Sequence, residues 1–365
     1  MKHYSAIILA AGFSSRMGSF KPLIDLLGKT PLERCIDLFK CCGIHDIMVV
    51  TGHLNQNIEK ELNEKVKTVF NDRYSEGMFS SIKKGVASLS KETDAFFVLP
   101  VDIPSVKPFT IKKMMDRYEE TKDGILFPTF HDEKGHPTLM AYSLAEEILN
   151  SNPTGGLRDI LKLHTDKWIY ERVADRGILL DMDTKEDVAS LIEHMSFLPC
   201  PDYEECMEML HLCHVKQETI MHMKRVGDFA KKLSLFMNEK GYHIDLNKVY
   251  AGALLHDIAK GNHSHAEVGA NIVRDFGYSS MSEIIGEHME LKKIDAIGEK
   301  EIVYLCDKLI KGTELTTLEE RFQNAFEKYE NMPEILKNVK KKYSDAKFIK
   351  EIIEKVLGES LENLR

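Results

Sequence analysis

The sequence predicts two domains of different fold class: a doubly wound α/β sheet in residues 1–195, and an all-α domain in residues 206–330. Strand-like apolar runs alternate with helical patterns as far as residue 195, which is typical of α/β folds. The stretch SFLPCPD at residues 196–202 interrupts this alternation, and only helical patterns follow it. We therefore interpret residues 196–205 as a linker and residues 331–365 as a charged helical C-terminal tail.

Composition indicates a soluble, cytoplasmic chain without membrane or nucleic-acid partners. Hydrophobic residues make up 43% of the 365 residues and the net charge is -9, so a nucleic-acid-binding surface is not expected. No apolar run is as long as a membrane span, and Met1-Lys2-His3 leads directly into a strand rather than a signal peptide. The seven cysteines include no CxxC pair, which favours reduced, mostly buried thiols.

Five strands separated by helical patterns are predicted for the first domain. The predicted strands are residues 6–9, 46–52, 66–71, 95–102 and 124–127, and helical patterns such as residues 31–40 and 82–89 lie between them. In a doubly wound sheet, ligands bind beyond the carboxyl ends of the strands. The residues that follow each strand are therefore the first candidates for a site.

The loop after the first strand has the composition of a polyphosphate-binding loop. Small residues follow Leu9 and leave backbone N–H groups exposed, and two cations, Arg16 and Lys21, come within the same loop. The loop is not a P-loop, because Lys21 is not preceded by glycine and no GK[ST] occurs. An ordinary glycine-rich turn with two solvated cations is the alternative, but the length of the pattern favours phosphate binding.

Asp102 closes the fourth predicted strand, where the same rule places ligands. A lone carboxylate there can bind Mg2+, cap a helix or face water. Beside a polyphosphate loop Mg2+ is favoured, because hard oxygen ligands suit this ion and phosphate oxygens complete its shell.

Residues 9–23 resemble the LAAGxSxRMGxxKxL signature of the MobA/MocA-like molybdenum-cofactor nucleotidyltransferases, and residues 100–104 (PVDIP) resemble that family's PVDxP segment. Further likenesses are YSEGMFSSI at residues 74–82, KGHP at 134–137, TGGLR at 154–158 and LDMDTKED at 180–187. The resemblance covers about the first 195 residues and implies a Rossmann-like nucleotidyltransferase domain. It assigns Arg16, Lys21 and Asp102 to catalysis, Asp102 and secondarily Asp183 to Mg2+, Gly135 and His136 to the acceptor side, and the nucleotide to Leu9, Ala10, Ala11, Gly12, Gly77, Ser80 and Ser81.

The resemblance also implies a reaction and its substrates. The cytidylyltransferase branch usually has LAAG where guanylyltransferases have LAGG, so Ala11 favours CTP over GTP. The expected reaction joins a cytidylyl group to the phosphate of molybdopterin, a pterin cofactor, and releases pyrophosphate. A molybdoenzyme that receives the cofactor is an expected partner. The alternative is a guanylyltransferase or another small-molecule nucleotidyltransferase.

In the second domain, histidine and aspartate recur at positions where the helical pattern calls for apolar residues. A single residue of this kind is more often a core histidine whose hydrogen-bond partners lie within the protein. Six residues of metal-ligand type favour another interpretation, because one metal centre can bind buried imidazoles and carboxylates together. The six are expected on inward faces of separate helices. They are His222, His256, Asp257, His265, His288 and Asp307.

The order His, His-Asp, Asp resembles the HD phosphohydrolase superfamily, with LHDIAK at residues 255–260 and CDKL at 306–309. The resemblance implies His222, His256, Asp257 and Asp307 as core metal ligands, and His265 and His288 as ligands that complete a two-metal site. His263 competes with His265 for this role. Imidazole and carboxylate ligands favour one or two ions of Mn, Fe, Ni or Zn. The alternative is a non-catalytic nucleotide-sensing module.

Overall fold

The computed structural model describes residues 2–13, 20–62, 66–121 and 123–364. The chain divides into two compact units, Met1–Ser196 and Phe197–Arg365. The first contains a mixed α/β sheet and the second is largely helical. The predicted change of fold class is confirmed, and each unit is described by itself below.

The first unit is built on a sheet of eight strands within the described residues, in the order β3-β2-β1-β4-β7-β5-β6, with β8 paired to β5. The buried strand β1 lies between β2 and β4 and runs parallel to both, with Ile7 opposite Met48 and Val98. The strands are β1 Tyr4–Ala10, β2 Asp46–Thr51, β3 Lys67–Phe70, β4 Ala95–Pro100, β5 Ile125–Phe130, β6 Glu133–Lys134, β7 Thr138–Ala141 and β8 Trp168–Arg172.

The sheet differs from the predicted one by three further strands, β6, β7 and β8. β7 runs antiparallel to β4 and β5, which makes the sheet mixed rather than wholly parallel. β6 and β7 have two and four residues, too few for a periodic pattern to appear in the sequence. β8 is partly exposed along its length and so lacks the apolar run of a buried strand.

Helices of the first unit pack against the strands of the sheet. Thr30 and Glu33 form a reciprocal capping box that starts α1. Gly85 lets α3 pack directly on the sheet, since a Cβ there would lie 2.6 Å from Ile7 Cγ2. The helices are α1 Pro31–Cys41, α2 Asn55–Leu62, α3 Met78–Val86, α4 Pro108–Thr121, α5 Ala145–Asn150, α6 Leu157–Lys162 and α7 Lys185–Ser196.

The second unit is a helical bundle in which α9 packs against α10 and α13. It is not entirely α-helical, because a short antiparallel hairpin of β9 (Ile310–Lys311) and β10 (Glu314–Leu315) follows α13. The helices are α8 Tyr203–Leu212, α9 Gln217–Glu239, α10 Leu246–Leu255, α11 His265–Asp275, α12 Ser282–Glu287, α13 Glu299–Leu309, α14 Leu318–Lys328 and α15 Pro333–Leu357.

Both ends of the second unit extend beyond the predicted limits. A capping box between Asp202 and Glu205 begins α8 at Tyr203, inside the segment interpreted as a linker. At the other end, Ala346, Ile349 and Ile353 of α15 are fully buried. The segment from residue 331 onwards is therefore part of the packed unit, because it buries an apolar stripe of its own. No described helix combines the length and apolar character needed to cross a membrane.

Candidate functional site

Lys21 lies between two carboxylates at the carboxyl edge of the sheet. Its Nζ is 2.5 Å from Asp183 Oδ1 and 3.8 Å from Asp102 Oδ2. Asp102 follows β4 and Asp183 precedes α7, so the fold joins residues that are 81 positions apart in this place. Burial raises the pKa of Asp102, and the charge of Lys21 opposes this rise. The edge therefore holds a cation and two carboxylates in contact, a set suited to phosphate and a hard cation.

A cavity of about 340 Å³ adjoins this group and is lined by most of the predicted nucleotide residues. Ser80 is not among the residues that line it. The Ser80 hydroxyl instead donates to the carbonyl of Gly77 at 2.8 Å and to that of Arg73 at 2.9 Å, and so holds the loop before α3. Arg16 falls in residues 14–19, outside the described residues. The predicted residues on the wall are Leu9, Ala10, Ala11, Gly12, Lys21, Gly77, Ser81 and Asp102.

Asn71 does not line this cavity but supports Ser81 of its wall, a role that the sequence interpretation missed. It is buried just beyond β3, and its side-chain amide donates to Ser80 Oγ at 2.8 Å and to Ser81 Oγ at 3.0 Å. The amide therefore fixes both hydroxyls at the start of α3. Its position directly after a strand was the available signal.

Asp175 is a second missed residue, fully buried in the segment after β8. Its carboxylate accepts hydrogen bonds from Lys107 N at 2.8 Å, Thr110 Oγ1 at 2.6 Å and Gly177 N at 3.1 Å. The side-chain ammonium of Lys107 also lies near this carboxylate, with Nζ 3.4 Å from Asp175 Oδ1. These bonds join the loop that begins at Asp102 to the segment that leads to Asp183.

The two predicted acceptor-side residues have different surroundings. Gly135 is buried against Ile178, whose carbonyl oxygen would lie 2.5 Å from an added Cβ, so close packing accounts for this glycine. His136 lines a second cavity of about 370 Å³, and its buried Nδ1 has no hydrogen-bond partner among the described residues. Burial, with a smaller effect from Lys134, lowers the pKa of His136. The imidazole is therefore neutral at physiological pH and offers this cavity an unpaired polar atom.

The six metal-ligand candidates of the second unit come together as two adjoining triads. The ligand atoms of each triad lie within 4.8 Å of one another. The ring centroids of His256 and His288, one from each triad, are 5.1 Å apart. One triad is His222, His256 and Asp307, and the other is Asp257, His265 and His288. Asp257 thus groups with His265 and His288, and its Oδ2 also lies 3.7 Å from Nε2 of His256 in the other triad.

Three of the four imidazoles in the triads are oriented by backbone carbonyls. His222 Nδ1 lies 2.9 Å from Gly312 O, His256 Nδ1 lies 2.7 Å from Ala253 O, and His288 Nδ1 lies 2.7 Å from Ile285 O. A carbonyl only accepts, so Nδ1 carries a proton, and in the neutral form of such a ring the lone pair is on Nε2. For His256 and His288, this Nε2 is buried without a hydrogen-bond partner among the described residues.

These positions also correct the expectation that each ligand lies within a helix. His256 directly follows α10 and His288 directly follows α12, and each ring binds the carbonyl three residues before it. Carbonyls in the last turn of a helix have no intrahelical partner, so the histidine that ends the helix satisfies one of them. The same hydrogen bond aims Nε2 at the cluster.

The carboxylates of the triads are stabilised in the ionised form. Although burial opposes ionisation, the adjacent His265 and His288 hold the pKa of Asp257 well below its usual range. Burial also opposes ionisation of Asp307, but the Lys308 ammonium and the nearby imidazoles keep its pKa low as well. The cluster therefore combines anionic oxygens with imidazole lone pairs, the donor set of a transition-metal site.

Lys308 is a buried residue that the sequence interpretation did not single out. Its Nζ donates to Asp307 Oδ2 at 2.7 Å and to the carbonyl of His288 at 2.9 Å, so it connects the two triads. Lys260 lies 2.6 Å from Asp257 Oδ2 and is half exposed. His263 is exposed and bonded to Ser264, which leaves His265 as the histidine of the cluster.

The class of protein is now defined: a nucleotidyltransferase-type α/β unit followed by a helical unit with a metal-ligand cluster. Residues 6–168 match the MobA-like NTP transferase domain, and residues 219–332 match the HD domain. The first unit therefore carries a MobA-like NTP transferase domain and the second unit an HD domain. Both resemblances predicted from the sequence are confirmed.

Relatives of the first unit include enzymes of both nucleotide preferences. The chain is 27% identical over 190 residues to the molybdenum cofactor cytidylyltransferase of Escherichia coli, a match of 51% of this chain and 94% of that protein. It is 26% identical over 196 residues to a probable molybdenum cofactor guanylyltransferase of Natranaerobius thermophilus, a match that covers 50% of this chain and 92% of that protein. A crystal structure of an Rv0371c homolog from Mycobacterium sp. strain JC1 aligns with a TM-score of 0.49 and 20% identity over 54% of this chain and 100% of that one.

Proposed function

We propose that the first unit transfers a cytidylyl group from CTP to the phosphate of molybdopterin, with Mg2+ and with release of pyrophosphate. The observation that carries this proposal is the placement of Lys21 against Asp102 and Asp183 beside the cavity lined by residues 9–12. A polyphosphate needs cations and backbone N–H groups, and a hard cation needs carboxylate oxygens. Both sets are present at one edge of the sheet.

Each residue in this proposal has a distinct role. Lys21 and Arg16 bind the triphosphate, while Asp102, with Asp183 as a second contact, would hold Mg2+. A carboxylate and phosphate oxygens are the ligands that suit this ion. When bound, Mg2+ neutralises charge that develops on the phosphoryl oxygens. Lys21 is bound to Asp183 in the structure, and a triphosphate offers it a competing partner.

The chemistry requires little beyond positioning. The acceptor phosphate, with a second pKa of about 6, is largely ionised near neutral pH and needs no strong general base. One of its oxygens forms a bond to the α-phosphorus as the bond from that phosphorus to the β-bridging oxygen breaks. Pyrophosphate leaves with the electron pair, and no net proton transfer is required. Alignment and charge neutralisation therefore provide the acceleration.

The proposed preference for CTP rests on Ala11, which lines the nucleotide cavity next to Gly12. Relatives with either nucleotide are of similar identity, 27% and 26%, so they do not decide the base. Competition between CTP and GTP should show a large preference for CTP in kcat/KM. An equal or better rate with GTP would assign the chain to the guanylyltransferases, the alternative function.

The test of the transferase proposal is Asp102→Ala. Removing this carboxylate should abolish pyrophosphate release from CTP and molybdopterin, because the position that holds Mg2+ loses its main oxygen ligand. Asp37→Ala is the matched control, since Asp37 is half exposed on α1, does not line the cavity and pairs with Lys29 at 2.6 Å. Normal turnover in the Asp102 variant would refute the assignment.

For the second unit we propose metal-dependent hydrolysis of a phosphate ester. The observation that supports it is the set of Nε2 lone pairs aimed into the cluster by the carbonyl contacts of His222, His256 and His288. The buried Nε2 atoms of His256 and His288 have no hydrogen-bond partner among the described residues, and such atoms cost several kcal/mol unless a ligand satisfies them. Mn, Fe, Ni or Zn fits imidazole and carboxylate donors. When bound, such ions supply a water nucleophile at neutral pH and neutralise charge on the phosphoryl group.

The remaining residues bind and orient in this proposal. Asp257 and Asp307 supply anionic donors that are ionised at all physiological pH values. Lys260 is half exposed beside Asp257 and is placed to contact a substrate phosphate. Lys308 holds Asp307 from the buried side. We propose the cytoplasm as the setting, because the chain has seven cysteines and no CxxC pair.

His256→Ala and Asp257→Ala test the metal proposal. Each should remove bound transition metal and phosphoesterase activity while leaving nucleotidyl transfer intact. Metal content is measured by elemental analysis of protein purified without chelator, with His243→Ala, an exposed histidine of the same unit, as the control. If the unaltered protein holds no metal and leaves every nucleotide intact, the HD domain is a sensing module, the alternative that we keep.

A further inference from the structure

The two oxygens of the Asp307 carboxylate face different partners. Oδ1 lies 3.1 Å from His222 Nε2 and 3.4 Å from His256 Nε2, the imidazoles of its own triad. Oδ2 lies 2.7 Å from Lys308 Nζ. Oδ1 is thus the oxygen that this triad offers to a metal, because Oδ2 is already bound to an ammonium group.

The Lys308 ammonium has a fixed place in the second unit. Nζ donates to Asp307 Oδ2 and, at 2.9 Å, to the carbonyl of His288, and it lies 4.6 Å from the centroid of the Tyr304 ring. Tyr304 is fully buried, and its hydroxyl donates to the Lys342 carbonyl of α15 at 3.0 Å. Lys308 itself is only 6% exposed. An ammonium group with three such contacts and so little solvent carries a charge that is weakly screened.

Lys260 provides a contrast within the same cluster. Its Nζ lies 2.6 Å from Asp257 Oδ2, much as Lys308 lies against Asp307, but its side chain is 51% exposed and that of Lys308 only 7%. Solvent and salt weaken an exposed ion pair, whereas breaking a buried pair is costly because the remaining charge has no partner. The two lysines therefore differ chiefly in how strongly their charges act on the cluster.

The charge of Lys308 acts in opposite directions on the metal-free and the metal-bound cluster. Burial opposes ionisation of Asp307, and Lys308 has the largest of the effects that hold the pKa of this carboxyl low. Without metal, the ammonium group therefore compensates a buried anion. With metal, the same group is separated from a second cation by only one carboxylate and repels it. A lysine with a purely structural role would stabilise both states equally.

We propose that Lys308 is a positioning residue that serves the cluster as an internal counter-ion. It fixes Asp307 so that Oδ1 faces the imidazoles, it keeps the second unit folded when no metal is bound, and it limits the affinity of this triad for metal. A site of this kind can release and exchange its metal without unfolding. The inference rests on the proposed metal binding by the second unit and adds to it a residue that is not itself a ligand.

Lys308→Met tests the inference, because methionine keeps the unbranched apolar stem and removes the charge. In metal-free full-length protein it should lower the Tm of the second unit by about 10 °C, and saturating Co2+ should restore most of this loss. The affinity for Co2+ should rise by at least about tenfold. Lys260→Met is the matched control and should change the metal-free Tm by only about 2 °C.

Two features of the chain make these measurements specific. Co2+ titrations use the Asp102→Ala background, in which the edge of the sheet in the first unit lacks its main oxygen ligand. Unfolding of the second unit is followed by helical circular dichroism. The single tryptophan, Trp168, belongs to the first unit, so its fluorescence is an internal reference that the Lys308 variant should leave unchanged.

A double variant, Asp307→Asn with Lys308→Met, keeps the inference testable if the single variant does not fold. It lacks both buried charges and should regain most of the metal-free Tm, and a double variant as unstable as the single one would overturn the inference. An equal Tm loss with and without Co2+, or weaker Co2+ binding in Lys308→Met, would overturn it as well. If the unaltered protein binds no Co2+, the metal proposal itself fails; if it binds Co2+ and the variant responds as Lys260→Met does, only the role of Lys308 fails.

Discussion

Asp175 illustrates how one buried carboxylate can position other residues without touching a ligand. It is fully buried and receives hydrogen bonds from two backbone N–H groups and from the Thr110 hydroxyl. Those donors belong to the loop that follows Asp102, to the first turn of α4, and to the segment that precedes Asp183. A carboxylate is required because every group around it donates, and an amide at the same place would set N–H against N–H.

Asp175→Asn should therefore destabilise the first unit by about 3 kcal/mol, the usual effect of breaking a buried charged network. It should also raise the Mg2+ concentration needed for half-maximal transfer, because Asp102 and Asp183 are no longer held together. Stability is measured by urea unfolding and Mg2+ dependence by pyrophosphate release. Thr110→Val is the control, since it removes a single hydrogen bond and should cost only about 1 kcal/mol. Equal effects from the two variants would contradict a positioning role.

At the scale of elements, the hairpin of β9 and β10 is a small addition with a specific task. It follows α13, which carries Asp307, and its turn residue Gly312 has a φ of 64°. The Gly312 carbonyl lies 2.9 Å from His222 Nδ1. The hairpin therefore orients an imidazole 90 residues earlier in the chain, and it does so through backbone that only glycine adopts without strain.

Gly312→Val should disturb the metal triad through this contact. A β-branched residue is strongly disfavoured at positive φ, so the turn should rotate and withdraw its carbonyl from His222. Gly241→Val is the matched control, because Gly241 also has a positive φ of 92° and, like Gly312, has no atom within 4 Å of an added Cβ. Both variants should lose about 1–2 kcal/mol of stability, but only Gly312→Val should lower metal content. Equal metal content in both would show that the carbonyl contact does not matter.

At the scale of the whole molecule, each of the two compact units buries its own apolar side chains. The first packs residues such as Ile7, Val50 and Phe96 between its sheet and helices, and the second buries Val226, Leu254 and Tyr304. The six metal-ligand candidates all belong to the unit Phe197–Arg365. A unit with its own core and a complete set of ligands has what independent folding requires.

The fragment of residues 197–365 is therefore expected to fold cooperatively and to retain one or two equivalents of transition metal. Chelation should lower its Tm, because metal binding to the folded state adds to its stability. Circular dichroism and elemental analysis measure both properties, and a fragment ending at residue 330, which lacks the buried residues of α15, is the control and should be unstable. A stable shorter fragment would show that α15 is not part of the folded unit.

Much of this arrangement was predictable from local sequence. Apolar runs and helical periodicity identified the α/β and helical units, since burial of one face imposes those patterns wherever the elements are long enough. The strand-end rule identified Asp102, and the recurrence of histidine and aspartate on helical stripes identified the six candidate ligands. Short or exposed strands such as β6, β7 and β8 were missed because their patterns are too brief or too polar.

The sequence by itself thus determined the two fold classes and the residues that can bear chemistry, because side-chain type and spacing carry that information. The tertiary structure decided which of them meet: the division of the ligands into two triads, the joining of Lys21 to Asp183, and the placement of Lys134 and Arg158 around one cavity. It also decided which way each imidazole points, through the carbonyls of Ala253, Ile285 and Gly312. Such contacts depend on where helices end and which loops return to them, and those are properties of the packed chain rather than of any local pattern.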